Sequence, residues 1–186
     1  MEFIPEIGLE LLNGWLPLAL FYSIFGIMLI SFPKTVVARL YDRSGWTKTQ
    51  RNLSVFGKLF IFSWLFLVIF APLTFSRGTF VLGLSVYLMG LAGMVVALLN
   101  YKDAPIDQPV TAGLYKISRN PQQVTILIAF LGISLMVGSW LAVIILGIGA
   151  VFAHVRVLAE ERSCLEHYGA SYASYMEEVP RYFLFF

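Results

Sequence analysis

The strongest constraint on this chain is a series of five apolar runs, at about residues 12–32, 55–75, 79–99, 121–137 and 140–158. Each has the length a helix needs to cross the hydrocarbon core of a bilayer, about 20 residues with a range of about 17–25. In lipid the backbone polar groups have to be satisfied within the segment, so every run is expected to be a helix. Composition agrees, with 59% hydrophobic and 13% charged residues against about 45–50% and about 25% in a soluble domain. The expected fold class is an all-α integral membrane protein with about five transmembrane helices. A single membrane domain is expected over residues 1–186, with a three-helix N-terminal part over 1–100 and a ligand-binding part over 101–186.

The connections alternate in charge. Lys34, Arg39, Arg43, Lys48 and Arg51 stand against Asp42 alone between the first two runs, and Lys102, Lys116 and Arg119 lie between the third and fourth. The links Ser76-Arg77-Gly78 and Gly138-Ser139 are nearly bare of charge. The positive-inside rule then places the N-terminus outside and the C-terminus in the cytoplasm. Glu2, Glu6 and Glu10 precede the first run, the opposite of a basic signal-peptide start, so no cleaved targeting segment is expected. Cys164 is the single cysteine, which excludes an intrachain disulfide, and His154 and His167 lack zinc-motif spacing, so no metal site is expected. No nucleic acid partner is expected either. Pro17 and Pro72 fall inside apolar runs and read as structural. Gly83, Gly90 and Gly93 put small residues on one side of the third run, for close helix packing or for backbone approach to a ligand.

Chemistry concentrates around the stretch from Gly113 to Gln123. Asn120 is a preferred N-cap, Pro121 falls at the first helical position, and Gln123 is placed as the third residue of a capping box. Such a helix start carries free donors and roughly half a positive charge, and with Arg119 just ahead of it makes an anion site. The preceding loop holds Asp103, Pro105, Asp107, Pro109 and Gly113, a turn-rich composition that is ordered only if held against something. The fourth and fifth runs must form an antiparallel hairpin, which returns the chain to the same membrane face at about Leu158. Arg156, Glu160, Glu161, Arg162 and Glu166 cluster there.

Arg156 and Arg162 read as snorkelling anchors. The adjacent Glu160 and Glu161 gain nothing from anionic lipid and oppose the dipole at a helix C-terminus, which points to a bound cationic group. Beyond them Leu165, Tyr168, Tyr172, Tyr175 and Val179 recur at helical spacing, interrupted by Gly169. Two short helical pieces on the cytoplasmic surface are expected, their tyrosines forming an interfacial anchor belt or the floor of a pocket. Residues 183–186 are apolar enough to re-enter the interface. A ligand with one carboxylate and one ammonium would match both halves of such a site. S-adenosylmethionine has an end of this kind, although phospholipid headgroups and dinucleotides also offer anions.

GLYKISRNPQQ, followed after the hairpin by EERSCLEHYGASYASYMEEVPRY, resembles the isoprenylcysteine carboxyl methyltransferase and phospholipid methyltransferase superfamily of small membrane enzymes. The shared pattern is G-x-Y with Arg-His-Pro or Arg-Asn-Pro, a Glu-Glu pair, then F/Y-G-x-x-Y-x-x-Y and a V-P-R-F/Y-like close. The resemblance implies S-adenosylmethionine-dependent methyl transfer to a lipophilic acceptor drawn from the membrane lipids, a phospholipid amine or a prenylcysteine-like carboxylate, in a cytosol-facing pocket. Carried over by position, it assigns cofactor binding to Gly113, Tyr115, Arg119, Asn120, Pro121, Glu160, Glu161, Tyr168, Tyr172, Tyr175 and Arg181, with Arg119 and Glu161 as catalytic candidates. Asn120 stands where the prenylcysteine branch commonly has His, which favours the lipid branch. Two alternatives are a nicotinamide-dependent membrane reductase of the sterol reductase type and a non-enzymatic membrane scaffold or lipid-binding protein.

Overall fold

A computed structural model describes residues 1–8, 10–43, 45–75 and 78–183. The link Ser76-Arg77 and the apolar tail beyond Phe183 lie outside the described residues. Among those described, the chain forms seven α-helices: α1 (Trp15–Ser31), α2 (Lys34–Leu40), α3 (Lys48–Phe70), α4 (Gly78–Asp103), α5 (Pro121–Met136), α6 (Trp140–Tyr168) and α7 (Ala170–Glu178). A 3-10 turn, Gly113–Lys116, lies between α4 and α5. This is an all-α integral membrane protein. All five apolar runs are helical; α3, α4 and α6 are long and apolar enough to cross a membrane, whereas α1 and α5 are shorter, at 17 and 16 residues.

Several boundaries differ from the expected ones for identifiable reasons. The second run was expected to continue to residue 75, but α3 stops at Phe70, with Ala71 extended as its C-cap, because Pro72 cannot continue a helix and biases the residue before it away from the helical region. Its start lies earlier, at Lys48, where Thr47 and Gln50 form a reciprocal capping box. Pro17 sits in the first turn of α1, where a missing N–H costs no helical bond. Instead of ending near Leu158, α6 continues unbroken to Tyr168; Gly169, with φ of 58°, supplies the left-handed residue that separates it from α7.

The core is built by close approach. Helix α4 lies most extensively on α5, and α3 on α6. Added Cβ atoms at Gly90 and Gly132 would overlap the backbones of Ala129 and Tyr87, so these glycines let α4 and α5 touch main chain to main chain. Without a hydrophobic drive between helices in lipid, such contact provides the dispersion energy that holds them together. Gly93 meets the Thr125 side chain in the same seam. Trp64, fully buried, stacks on Phe130 at 4.6 Å and donates its indole N–H to Ser134 Oγ at 2.9 Å, tying α3 to α5. The Tyr87 hydroxyl donates to Pro17 O at 2.8 Å and ties α4 to α1.

At the end of the bundle where α5 turns into α6, Gly138 takes φ of 66° and Ser139 caps α6 by accepting from the Ala142 N–H at 3.1 Å. The first residues of the chain close this end. Glu2 N–H donates to Gly138 O, and Trp140 and Leu141 N–H donate to Glu2 O and Phe3 O. The opposite end gathers α2, the C-terminus of α4, the start of α5, the last turns of α6 and all of α7.

Candidate functional site

The start of α5 and the end of the chain are tied by one buried carboxylate. Glu161, 4% exposed, projects from α6 and accepts from Arg119 Nε at 3.1 Å, from the second Arg119 amino group at 3.4 Å, from Asn120 Nδ2 at 2.8 Å and from Arg181 Nε at 2.9 Å. Two carboxylate oxygens offer about four acceptor positions, so these four bonds fill them. Arg119 is equally committed. Its remaining amino group donates to Met176 O and Val179 O, both at 2.7 Å, where the C-terminus of α7 presents unpaired carbonyls to a cation. Arg119 N–H donates to Pro180 O and Ser118 Oγ to Arg181 O, each at 2.9 Å. Two guanidinium groups around one carboxylate leave this buried cluster with a net positive charge.

This changes the expected local chemistry at α5. Asn120 occupies the N-cap position, but its side chain makes no capping bond because it is turned to Glu161. Gln123 forms no capping box; its side-chain oxygen accepts from Arg156 at 3.0 Å. The N-terminus of α5 therefore stays open, with Pro121 at its first position.

In front of it lies a cavity of 670 Å³, within the range of small-molecule sites, about 300–1,000 Å³. Asn120, Gln122 and Gln123 line one side, Arg156, Glu160, Ser163 and Cys164 of α6 another, and Arg39 and Arg43 a third. Glu160 pairs with Arg156 at 3.4 Å and keeps 40% of its side chain exposed, in contrast to Glu161 beside it. Ser163 Oγ is buried without a hydrogen-bond partner, so one donor on this wall awaits a polar group, while Arg156 Nε is turned to Glu160 Oε1.

Tyrosines shape the rest. Tyr175 OH donates to Tyr115 O at 2.6 Å, Gln122 Nε2 donates to Tyr115 OH at 2.9 Å, and Tyr168 OH donates to Ile106 O at 3.3 Å. Burial raises the hydroxyls of Tyr115, Tyr172 and Tyr175 above the usual phenol range, so they remain neutral donors. The turn-rich loop is held as required: Arg39 donates to Pro105 O at 2.7 Å, and Asn100 Oδ1 accepts from Leu114 N–H at 3.0 Å. Gly113 has φ of 60° and sits directly over the Asn100 side chain, where a Cβ would collide.

Of the residues singled out from the sequence, Tyr115, Arg119, Asn120, Glu160, Glu161, Tyr168, Tyr172 and Tyr175 line this cavity, whereas Gly113, Pro121 and Arg181 do not. Arg39, Arg43, Tyr101, Gln122 and Arg156 line it without having been singled out as site residues. The available signal was the four-residue spacing Arg156 to Glu160, which puts that pair on one face of α6, while Arg39 and Arg43 had been counted only as topological charges and Arg156 only as an anchor. Arg39 lies over the Tyr101 ring at 4.7 Å, a cation–π contact linking α2 to α4.

No curated protein and no solved structure matches the chain. A family model described as phospholipid methyltransferase matches residues 66–171, from the last turns of α3 to the start of α7. That span holds both α5 and the Glu-Glu pair and covers more than half of the sequence, so the chain belongs to the phospholipid methyltransferase family, whose members are membrane methyltransferases.

Proposed function

We propose that this protein transfers a methyl group from S-adenosylmethionine to the headgroup amine of a membrane phospholipid. The observation that carries the reading is the cavity itself, with an open helix N-terminus backed by a net-positive buried cluster on one side and the half-exposed Glu160 on another. An amino acid group needs both features, one for its carboxylate and one for its ammonium. The unpartnered Ser163 Oγ leaves room for a further polar contact.

S-adenosylmethionine, when bound, supplies an electrophilic methyl group on a sulfonium sulfur. The open N–H groups of Gln122 and Gln123 would receive its carboxylate, and Glu160 its ammonium. Arg119, Asn120, Glu161 and Arg181 act as a unit that fixes the start of α5 against α7 and so orients those donors. Tyr115, Tyr168, Tyr172 and Tyr175 wall the cavity and exclude water, with Gly113 and Pro121 setting the backbone that carries them. Orientation and water exclusion supply most of the rate for such a transfer. A protonated amine acceptor must lose its proton before attack, and Glu160, whose Oε1 is turned to Arg156, would take it on its other carboxylate oxygen, Oε2, beside the cofactor's ammonium. By the positive-inside rule we read this end as cytoplasmic and the N-terminus as outside. Residues 1–186 act as one membrane domain, 101–186 carrying most of the cofactor cavity.

Purified protein titrated with labelled S-adenosylmethionine and with a reduced nicotinamide phosphate cofactor tests this directly. Saturable binding of the first alone is expected, with label transferred to phospholipid in vesicles. Binding of the nicotinamide alone would replace the reading with a reductase, and binding of neither with a scaffold.

A further inference from the structure

A second concavity, 380 Å³, is lined by Arg43, Trp46, Arg51, Ser54, Val55 and Lys58. Arg51 and Lys58 are seven residues apart on α3 and so share one stripe, about 10 Å long at 1.5 Å per residue. That stripe runs into an apolar face: Val55, Phe56, Leu59 and Phe62 are each more than half exposed, as lipid-facing residues are. Arg43 is held against the Trp46 ring at 5.2 Å, and Arg51 donates to Arg43 O at 3.3 Å. Among the described residues neither Arg51 nor Lys58 makes an ion pair. Trp46, 5% exposed, carries an indole N–H without a hydrogen-bond partner in the same wall.

Basic residues at a membrane surface commonly only snorkel or attract anionic lipid diffusely. Three features separate this group from that pattern. The cations share one concavity, Arg51 and Lys58 have no ion-paired carboxylate among the described residues, and Lys58 reaches two turns into the apolar face. A phosphate supplies the missing charge, and S-adenosylmethionine has none. Arg43 lines both this groove and the large cavity, which puts the two within one side chain of each other.

We infer that the groove is a phosphate subsite for a bilayer glycerophospholipid, which holds the acceptor's phosphodiester while its short amino alcohol enters the large cavity past Arg43. The inference rests on the methyl-acceptor reading above. The groove lies before residue 66, outside the matched family region.

The test uses the full chain in detergent and compares dihexanoyl phosphatidylethanolamine, dihexanoylglycerol and inorganic phosphate as probes. The phospholipid is expected to bind saturably and at least tenfold more tightly than either other probe. Arg51→Gln with Lys58→Gln should lose at least tenfold of that affinity while the Kd for S-adenosylmethionine is unchanged, and Arg51→Lys with Lys58→Arg should restore it. In vesicles the double glutamine variant should raise KM for the phospholipid at least tenfold and leave kcat within twofold. Unchanged phospholipid affinity in that variant overturns the subsite, as does equal binding of inorganic phosphate, which would mark a free-anion site. Absence of methyl transfer from a cofactor-loaded wild type would instead overturn the acceptor reading, and the binding comparison would still decide the groove.

Discussion

At the hairpin end, closure is a matter of main chain: residues 2 and 3 pair with 138–141, Asn13 bridges to Pro72, and Thr74 N–H reaches Met136 O. At the other end side chains do the work, and one carboxylate, Glu161, joins α5, α6 and the segment after α7. Backbone pairing tolerates substitution and leaves little open space. Convergent side chains enclose a cavity and make it depend on a few residues. A bundle closed in these two ways can keep one end as a stable base and leave the other shaped for a ligand.

That contrast yields predictions in descending order of stability lost. Arg119→Ala leaves Glu161 buried with half its partners gone, and breaking a buried pair costs about 3–5 kcal/mol; thermal unfolding in detergent should show the largest fall of the set, together with loss of S-adenosylmethionine binding. Gly90→Val drives a branched side chain into the Ala129 backbone, midway between the two ends. Overpacking of this kind costs about 1–3 kcal/mol, and the melting temperature should drop while detergent-extracted protein retains weakened activity. A closed seam that absorbed the valine without loss would contradict the close-approach account. At the hairpin end Ser139→Ala removes the cap of α6, worth about 1 kcal/mol, and kcat/KM should not change. If activity fell with it, the two ends would be coupled rather than independent. Glu160→Gln should leave stability within about 0.5 kcal/mol, since its exposed pair with Arg156 contributes little. Methyl transfer should nevertheless fall about 10²-fold or more if Glu160 carries the proton, and an unchanged initial rate would remove it from that role.

Sequence reading reached the two ends unequally. Apolar run length identified every long helix because lipid leaves few alternatives, and Gly169 announced the break before α7. Helix ends were less legible where Pro72 and Thr47 outweighed hydropathy. At the site, the opposite charges of Arg119 and the Glu pair were visible, and so was their arrival at one membrane face. Their mutual neutralisation was not: whether an arginine faces a ligand or a glutamate is decided by side-chain geometry that spacing along the chain does not encode. Asn120 illustrates the point, since cap position and cap bond separated once a carboxylate came within 2.8 Å. Arg39 and Arg43 were hidden for another reason, because a single set of positive charges serves both topology and ligand contact.

The brevity of α5 carries one last consequence. Its 16 residues rise about 24 Å, some way short of a hydrocarbon core of about 30 Å, whereas α6 leaves the same hairpin and runs on for 29 residues. With the hairpin at one boundary of the core, the floor of the large cavity would therefore lie just beneath the opposite headgroups instead of standing out in water. An acceptor lipid would reach such a floor by diffusing in two dimensions, without being lifted from its leaflet. Turnover would then follow the mole fraction of acceptor at the surface, and diluting the vesicles in buffer would leave it unchanged.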